Sequence, residues 1–91
     1  MGSTIRIPTP LRNLTSGVAE VSVDARTVGD ALTALETKHN GVKARICDDQ
    51  GNVRRFVNVY LNDEDIRLLA NLETPVKDGD QLSIVPAIAG G

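Results

Sequence analysis

Side chains able to attack, ligate or relay protons are few in these 91 residues, and none is grouped for the task. Cys47 is the single cysteine and His39 the single histidine. A nucleophilic thiol needs a neighbour that lowers its pKa. Cys47 lacks a nearby histidine or basic cluster and reads as a buried small hydrophobe. His39 follows Lys38 at the close of a helical pattern, where a basic side chain complements the helix dipole. Asp63, Glu64 and Asp65 would suit a cation, but a solvated turn accounts for them better. Asp78 and Asp80 flank a turn glycine and need no metal. One cysteine excludes an internal disulfide and a cysteine-rich zinc site.

What remains is Ala89-Gly90-Gly91. Every residue from Ala87 on is small except Ile88. With glycine at roughly 7% of ordinary usage, two terminal glycines arise by chance in about one chain in 200. A frayed terminus without meaning explains them as well, taken alone. Their significance depends on what the preceding chain builds.

The length suits one domain with a modest core. Apolar residues make up 41% and charged residues 24% of the chain, ordinary values for a globular protein. Phe56 and Tyr60 are the only aromatics, so the core must be aliphatic. A net charge of -2 argues against nucleic acid, which wants a basic face and stacking aromatics. No apolar run is long enough for a bilayer and no signal peptide opens the chain, so a cytoplasmic location without membrane contact is expected.

Thr4-Ile5-Arg6-Ile7 alternates until Pro8 and reads as a first strand. Turn residues at Asn13–Gly17 lead to a second alternating stretch, Val21–Asp24, which makes a hairpin. The period then becomes helical. Thr27 is an N-cap with Asp30 three residues on, and Val28, Ala31, Leu32 and Leu35 form one stripe. A helix over 27–39 is predicted, with Gly41 at its C′ position. Val42 and Ile46 either continue a helical face or pack a loop. Asp48, Asp49, Gly51 and Asn52 mark a turn.

Arg55–Leu61 is the strongest strand pattern. Val57, Val59 and Leu61 face the core, which leaves Phe56 and Tyr60 together on the other side. Asn62–Asp65 reads as a turn, and Ile66, Leu69 and Leu72 as a short helical or irregular segment. Pro75 and Asp78-Gly79-Asp80 turn the chain into a last strand, Gln81–Val85, with Leu82 and Ile84 inward. Pro86 cannot donate to a ladder, so pairing should stop there.

The order β-β-α-β-β predicts an α+β fold of β-grasp (ubiquitin-like) architecture. A mixed sheet of four to five strands packs on one main helix. Residues 1–86 form this domain and 87–91 a flexible tail. First and last strands lie parallel at the sheet's centre, which sets Val85 and the tail beside Arg6 and near Tyr60. Arg6, Phe56, Tyr60 and Val85 are therefore the candidate partner-binding patch.

Residues 72–91 then show a resemblance. Thr74-Pro75, Asp78-Gly79-Asp80, the alternating strand, Pro86 and Gly90-Gly91 are similar to the C-terminal block of the MoaD/ThiS sulfur-carrier family. Arg55-Phe56-Val57-Asn58-Val59-Tyr60-Leu61-Asn62-Asp63-Glu64-Asp65-Ile66-Arg67 most resembles its cysteine-biosynthesis branch. Ile7-Pro8-Thr9-Pro10-Leu11-Arg12 and Pro86–Gly91 are also similar to that branch, which has valine where Ile88 stands.

The resemblance implies a protein co-substrate rather than an enzyme. An adenylating sulfurtransferase related to ThiF and MoeB would join the Gly91 carboxylate to AMP, using ATP and magnesium. Sulfur would then displace AMP and leave a thiocarboxylate. Pro86, Ala87, Ile88, Ala89 and Gly90 would thread that partner's channel. A pyridoxal-phosphate cysteine synthase would accept the sulfur on an aminoacrylate made from O-phosphoserine. A zinc metallopeptidase would release the cysteine. These cofactors belong to the partners; none is expected on this chain. The same tail fits carriers for molybdopterin, thiamine or tRNA thiolation, and a ubiquitin-like modifier joined to lysines. A plain interaction module with an incidental tail is the non-chemical alternative.

A terminus threading a narrow site benefits from lacking Cβ atoms. Gly91→Ala should therefore fold normally yet be adenylated poorly by the ThiF/MoeB-like enzyme. Mass spectrometry of the adenylate checks this, and normal adenylation refutes the narrow channel.

Overall fold

The computed structural model describes residues 2–86. In the first strand, β1 (Ser3–Arg6), Ser3 and Ile5 are buried and Arg6 is exposed, the period of two expected from sequence. β2 (Glu20–Val23) buries Val21 and Val23 and pairs antiparallel with β1, Ile5 opposite Val21. Three more strands follow, β3 (Val57–Leu61), β4 (Glu64–Asp65) and β5 (Gln81–Pro86). The sheet order is β2-β1-β5-β3-β4. β1 and β5 run parallel in the middle, with Ile5 opposite Leu82 and Arg6 opposite Ser83. The other pairs are antiparallel. This is the expected mixed β-grasp sheet.

One face of the sheet packs on α1 (Val28–Lys38). Its stripe of Val28, Ala31, Leu32 and Leu35 is fully buried in one cluster with Ile5, Val59, Leu82 and Ile84. Thr27 caps the helix, its Oγ1 accepting from the Asp30 N–H at 3.1 Å. At the other end Lys38 Nζ donates to the Ser22 carbonyl at 2.6 Å, tying α1 to β2.

The helix ends one residue earlier than the glycine signal implies. His39 is the C-cap, and Gly41, at φ +99°, instead opens a second helix, α2 (Val42–Ile46). The open alternative for this segment is thereby decided as helix, with Val42 and Ile46 fully buried. Glu36 of α1 stabilises the junction. Its carboxylate accepts from the Gly41 and Lys43 N–H groups, each at 2.9 Å. Those two backbone bonds hold its carboxyl below the usual range.

Three local expectations are corrected. β3 begins at Val57, not Arg55, because the Val57 N–H turns back to the Arg54 carbonyl at 3.0 Å. Phe56 thus lies in a turn ahead of the strand rather than beside Tyr60 on it. Asn62–Asp65 is only half a turn. Asn62 and Asp63 have φ of 52° and 88°, the left-handed pair that a two-residue hairpin loop requires, so Glu64 and Asp65 pair back as β4. The β1–β2 link is longer than a simple hairpin turn. Thr9–Thr15 form a 3₁₀ segment started by Pro10, whose fixed φ suits it, and ended by Ser16 at φ 57°. Two further 3₁₀ turns, Ile66–Leu68 and Asn71–Glu73, follow β4.

The Asp78-Gly79-Asp80 turn starts β5 as expected, with Gly79 at φ +88°. Asp80 binds it to the β3–β4 loop. Its Oδ1 accepts from Asn62 Nδ2 at 2.9 Å and its Oδ2 from the Lys77 N–H at 2.8 Å. Asn62 in turn accepts from the Gln81 N–H at 2.9 Å. Among the described residues no helix is long and apolar enough to cross a membrane.

The hydrogen bond from Asn62, then that from Lys77, lowers the Asp80 pKa. A lowered folded-state pKa stabilises above the ordinary carboxylate value, and that stabilisation is lost as pH falls through the folded-state value. Asp80→Ala should cost about 1 kcal/mol near neutrality, a hydrogen-bond figure kept low because the carboxylate is exposed. Urea unfolding checks this. The gap to wild type should shrink below about pH 4, where the unfolded-state carboxylate begins to protonate.

Candidate functional site

The outward face of the sheet is built by the residues that alternate with the core. On β5 these are Gln81, Ser83 and Val85, on β3 Asn58 and Tyr60, and on β1 Thr4 and Arg6. The register lines up Glu20, Arg6, Ser83, Tyr60 and Asp65 in one row across all five strands. Val85 stands opposite Asn58, diagonal to Tyr60. Val85 is 44% exposed, unusual for an aliphatic residue on a central strand. Tyr60 is half-buried.

Of the sequence-predicted patch, Arg6, Tyr60 and Val85 share this sheet face, with two adjustments. Arg6 faces Ser83 rather than Val85, because parallel pairing with β5 ends there. Phe56, 52% exposed, belongs to the turn before β3, next to the Val57–Pro86 pair. Pro86 belongs to the strand, as its last residue. Ala87, Ile88, Ala89, Gly90 and Gly91 lie outside the described residues.

Beyond Arg6 the chain leaves the sheet at Pro8, and a cavity of about 330 Å³ opens along the end of β5. Arg6, Pro8, Thr9, Arg12, Val85 and Pro86 help line it. Arg12 Nε donates to the Ile7 carbonyl at 3.1 Å, which fixes the guanidinium over this opening. Arg6 Nε approaches Glu20 Oε2 at 3.9 Å with both side chains exposed. Such an exposed pair contributes little to stability. Arg12 was not singled out from sequence, since only the fold brings it to β5.

Cys47 is buried, and burial pushes its thiol pKa up, against nucleophilic use. No group of three or more metal-ligating side chains exists among the described residues. A second cavity, of about 810 Å³, is lined by Asp24, Arg26, Asp30, Thr33, Val76 and Asp78, among others. It shares no lining residue with the β5 face.

The ThiS family matches residues 5–91. Over 93 aligned residues the chain is 43% identical to the sulfur carrier protein CysO of Mycobacterium tuberculosis, covering 100% of both. It is 40% identical over 68 residues to small archaeal modifier protein 3 of Haloferax volcanii, covering 75% of this chain and 73% of the relative. Its fold superposes on CysO in the crystal structure of the Amycolatopsis orientalis BexX/CysO complex. There the TM-score is 0.92 and the identity 46%, over 98% of this chain and 99% of that one.

An apolar patch rimmed by charge suits transient docking. If this face docks an activating enzyme of the ThiF/MoeB type, Tyr60→Ala and Val85→Asp should each weaken activation about tenfold, as for residues central to an interface. Their stability should change by about 1 kcal/mol or less, the span of strand propensity at a solvent face. Pyrophosphate exchange and thermal unfolding measure the two effects. Turnover like wild type in both variants moves the patch elsewhere.

Proposed function

The chain belongs to the ThiS family, and on that premise we propose that it is a sulfur carrier for cysteine synthesis, reactive at the Gly91 α-carboxylate. The CysO relatives, which match the whole chain, are named sulfur carrier proteins. The observation that carries the finer reading is the end-to-end match to CysO proteins, which spans the domain and the Gly-Gly end together.

A carboxylate is a poor acyl donor because its oxygen leaves badly. Attack of the Gly91 carboxylate oxygen on the α-phosphorus of ATP, with loss of pyrophosphate, converts that oxygen into part of an AMP leaving group. The activating enzyme supplies ATP and magnesium. A nucleophilic sulfur at the sulfide level then adds to the acyl carbon, and AMP departs with the electron pair of the broken C–O bond. The thiocarboxylate that results is ionised and nucleophilic near neutral pH, as thiolates are.

In this reading the chain's own residues bind and present; they do not catalyse. Tyr60, Val85 and Phe56 offer apolar area to the activating enzyme, and Arg6 offers a rim charge. The sheet holds the root of the tail by pairing Val57 with Pro86. A pyridoxal-phosphate cysteine synthase and a zinc metallopeptidase complete the route, carrying their own cofactors in the cytoplasm.

Similarity to a small archaeal modifier protein favours a second reading, conjugation of Gly91 to lysines. Intact mass spectrometry of the protein recovered from its own host separates the two. Replacement of one oxygen by sulfur, or addition of one cysteine, is expected. An isopeptide conjugate without either species overturns the carrier reading.

A further inference from the structure

We propose that Arg67 is a positioning residue for docking: its guanidinium holds the turn before β3 and so presents Phe56 beside the end of β5. This rests on the carrier reading for its partner, the adenylating enzyme. It assigns a role to a residue that lies outside the patch itself.

β4 is two residues long and pairs only with Tyr60 and Leu61. The start of β3 therefore has no neighbouring strand on that side. The Val57 carbonyl lies beyond β4's reach, and a side chain takes the strand's place. Arg67 Nη2 donates to the Val57 carbonyl at 2.8 Å and to the Arg54 carbonyl at 3.2 Å. Arg67 Nη1 donates to Asn58 Oδ1 at 2.8 Å. One planar fork thus grips both ends of the Arg54–Val57 turn and the residue opposite Val85.

The grip is itself held. Asp65 Oδ1 accepts from the Arg67 N–H at 2.9 Å and caps the 3₁₀ turn that carries the arginine. Phe56 sits inside the gripped turn and is 52% exposed. Half of its surface stays in water, so burial alone does not account for its orientation. A lysine could not replace the arginine, because a single ammonium lacks the fork that spans three acceptors.

The test uses the full chain with the ThiF/MoeB-like activating enzyme of its host. Pyrophosphate exchange is measured for wild type, Arg67→Ala, Arg67→Lys, Phe56→Ala and the Arg67→Ala/Phe56→Ala double variant. Arg67→Ala and Arg67→Lys should raise KM for the carrier about tenfold with kcat unchanged, the pattern of lost docking. The double variant should be no worse than Phe56→Ala, because both changes remove one contact. Effects that multiply in the double variant, or a wild-type KM in Arg67→Lys, overturn the proposal.

Amide exchange on the carrier alone gives a readout independent of the enzyme. Val57 should exchange about tenfold faster in Arg67→Ala, as for a locally opened turn, while Ile5 and Leu82 stay protected. Unchanged Val57 protection overturns the clamp. A wild-type chain that supports no exchange of pyrophosphate overturns the carrier reading, and the docking role with it. The Val57 amide distinguishes that failure from failure of the clamp.

Discussion

The parallel pairing of β1 with β5 is the constraint from which the remaining geometry follows. It sets the first and last strands side by side in the middle of the sheet, Ile5 against Leu82. Parallel neighbours cannot be joined by a tight turn, so the intervening chain must leave, cover one face and return. α1 and α2 do the covering, and their buried stripe completes a core without a single aromatic residue. β2 and β3 flank the central pair, so β5 is supported on both sides until β1 ends at Arg6.

That early ending connects fold to function. β5 runs three residues past its last partner on β1, while β3 accompanies it to Pro86. The end of β5 is thus held on one side and open on the other. The open side is where Arg6, Pro8 and Arg12 gather. Val85 is left exposed on a central strand, an arrangement that costs apolar area in water unless a partner covers it. The β5 face is thus apolar around Val85 and Tyr60, with Arg6 and Arg12 at its rim.

Polar ties stabilise the ends of elements rather than a buried active site. Thr27, Glu36, Asp65 and Asp80 each use a side-chain oxygen to satisfy backbone N–H groups at a helix start or turn. Lys38 and Arg67 do the converse for carbonyls. Asp65 and Asp80 are occupied in this way, while Asp63, Glu64 and Asp78 are exposed to solvent. Cys47 contributes packing.

The sequence by itself determined the β-β-α-β-β frame, the core-facing residues of its strands, the α1 stripe and its Thr27 cap, and the family resemblance through its Asp-Gly-Asp turn and Gly-Gly end. These depend on neighbours two to four residues apart, so a linear pattern carries them. Strand boundaries and the site's final composition were decided by tertiary structure. Phe56 left the strand because its neighbours Arg54 and Val57 bond to Arg67, ten or more residues along. Glu64 and Asp65 became a strand because the left-handed Asn62-Asp63 loop folds them onto Leu61 and Tyr60. Gly41 capped α2 because Glu36 reached across to it. Arg12 joined the β5 face only through a 3₁₀ segment that no periodicity announces. In each case the deciding contact joins groups that only the folded chain brings within hydrogen-bond reach.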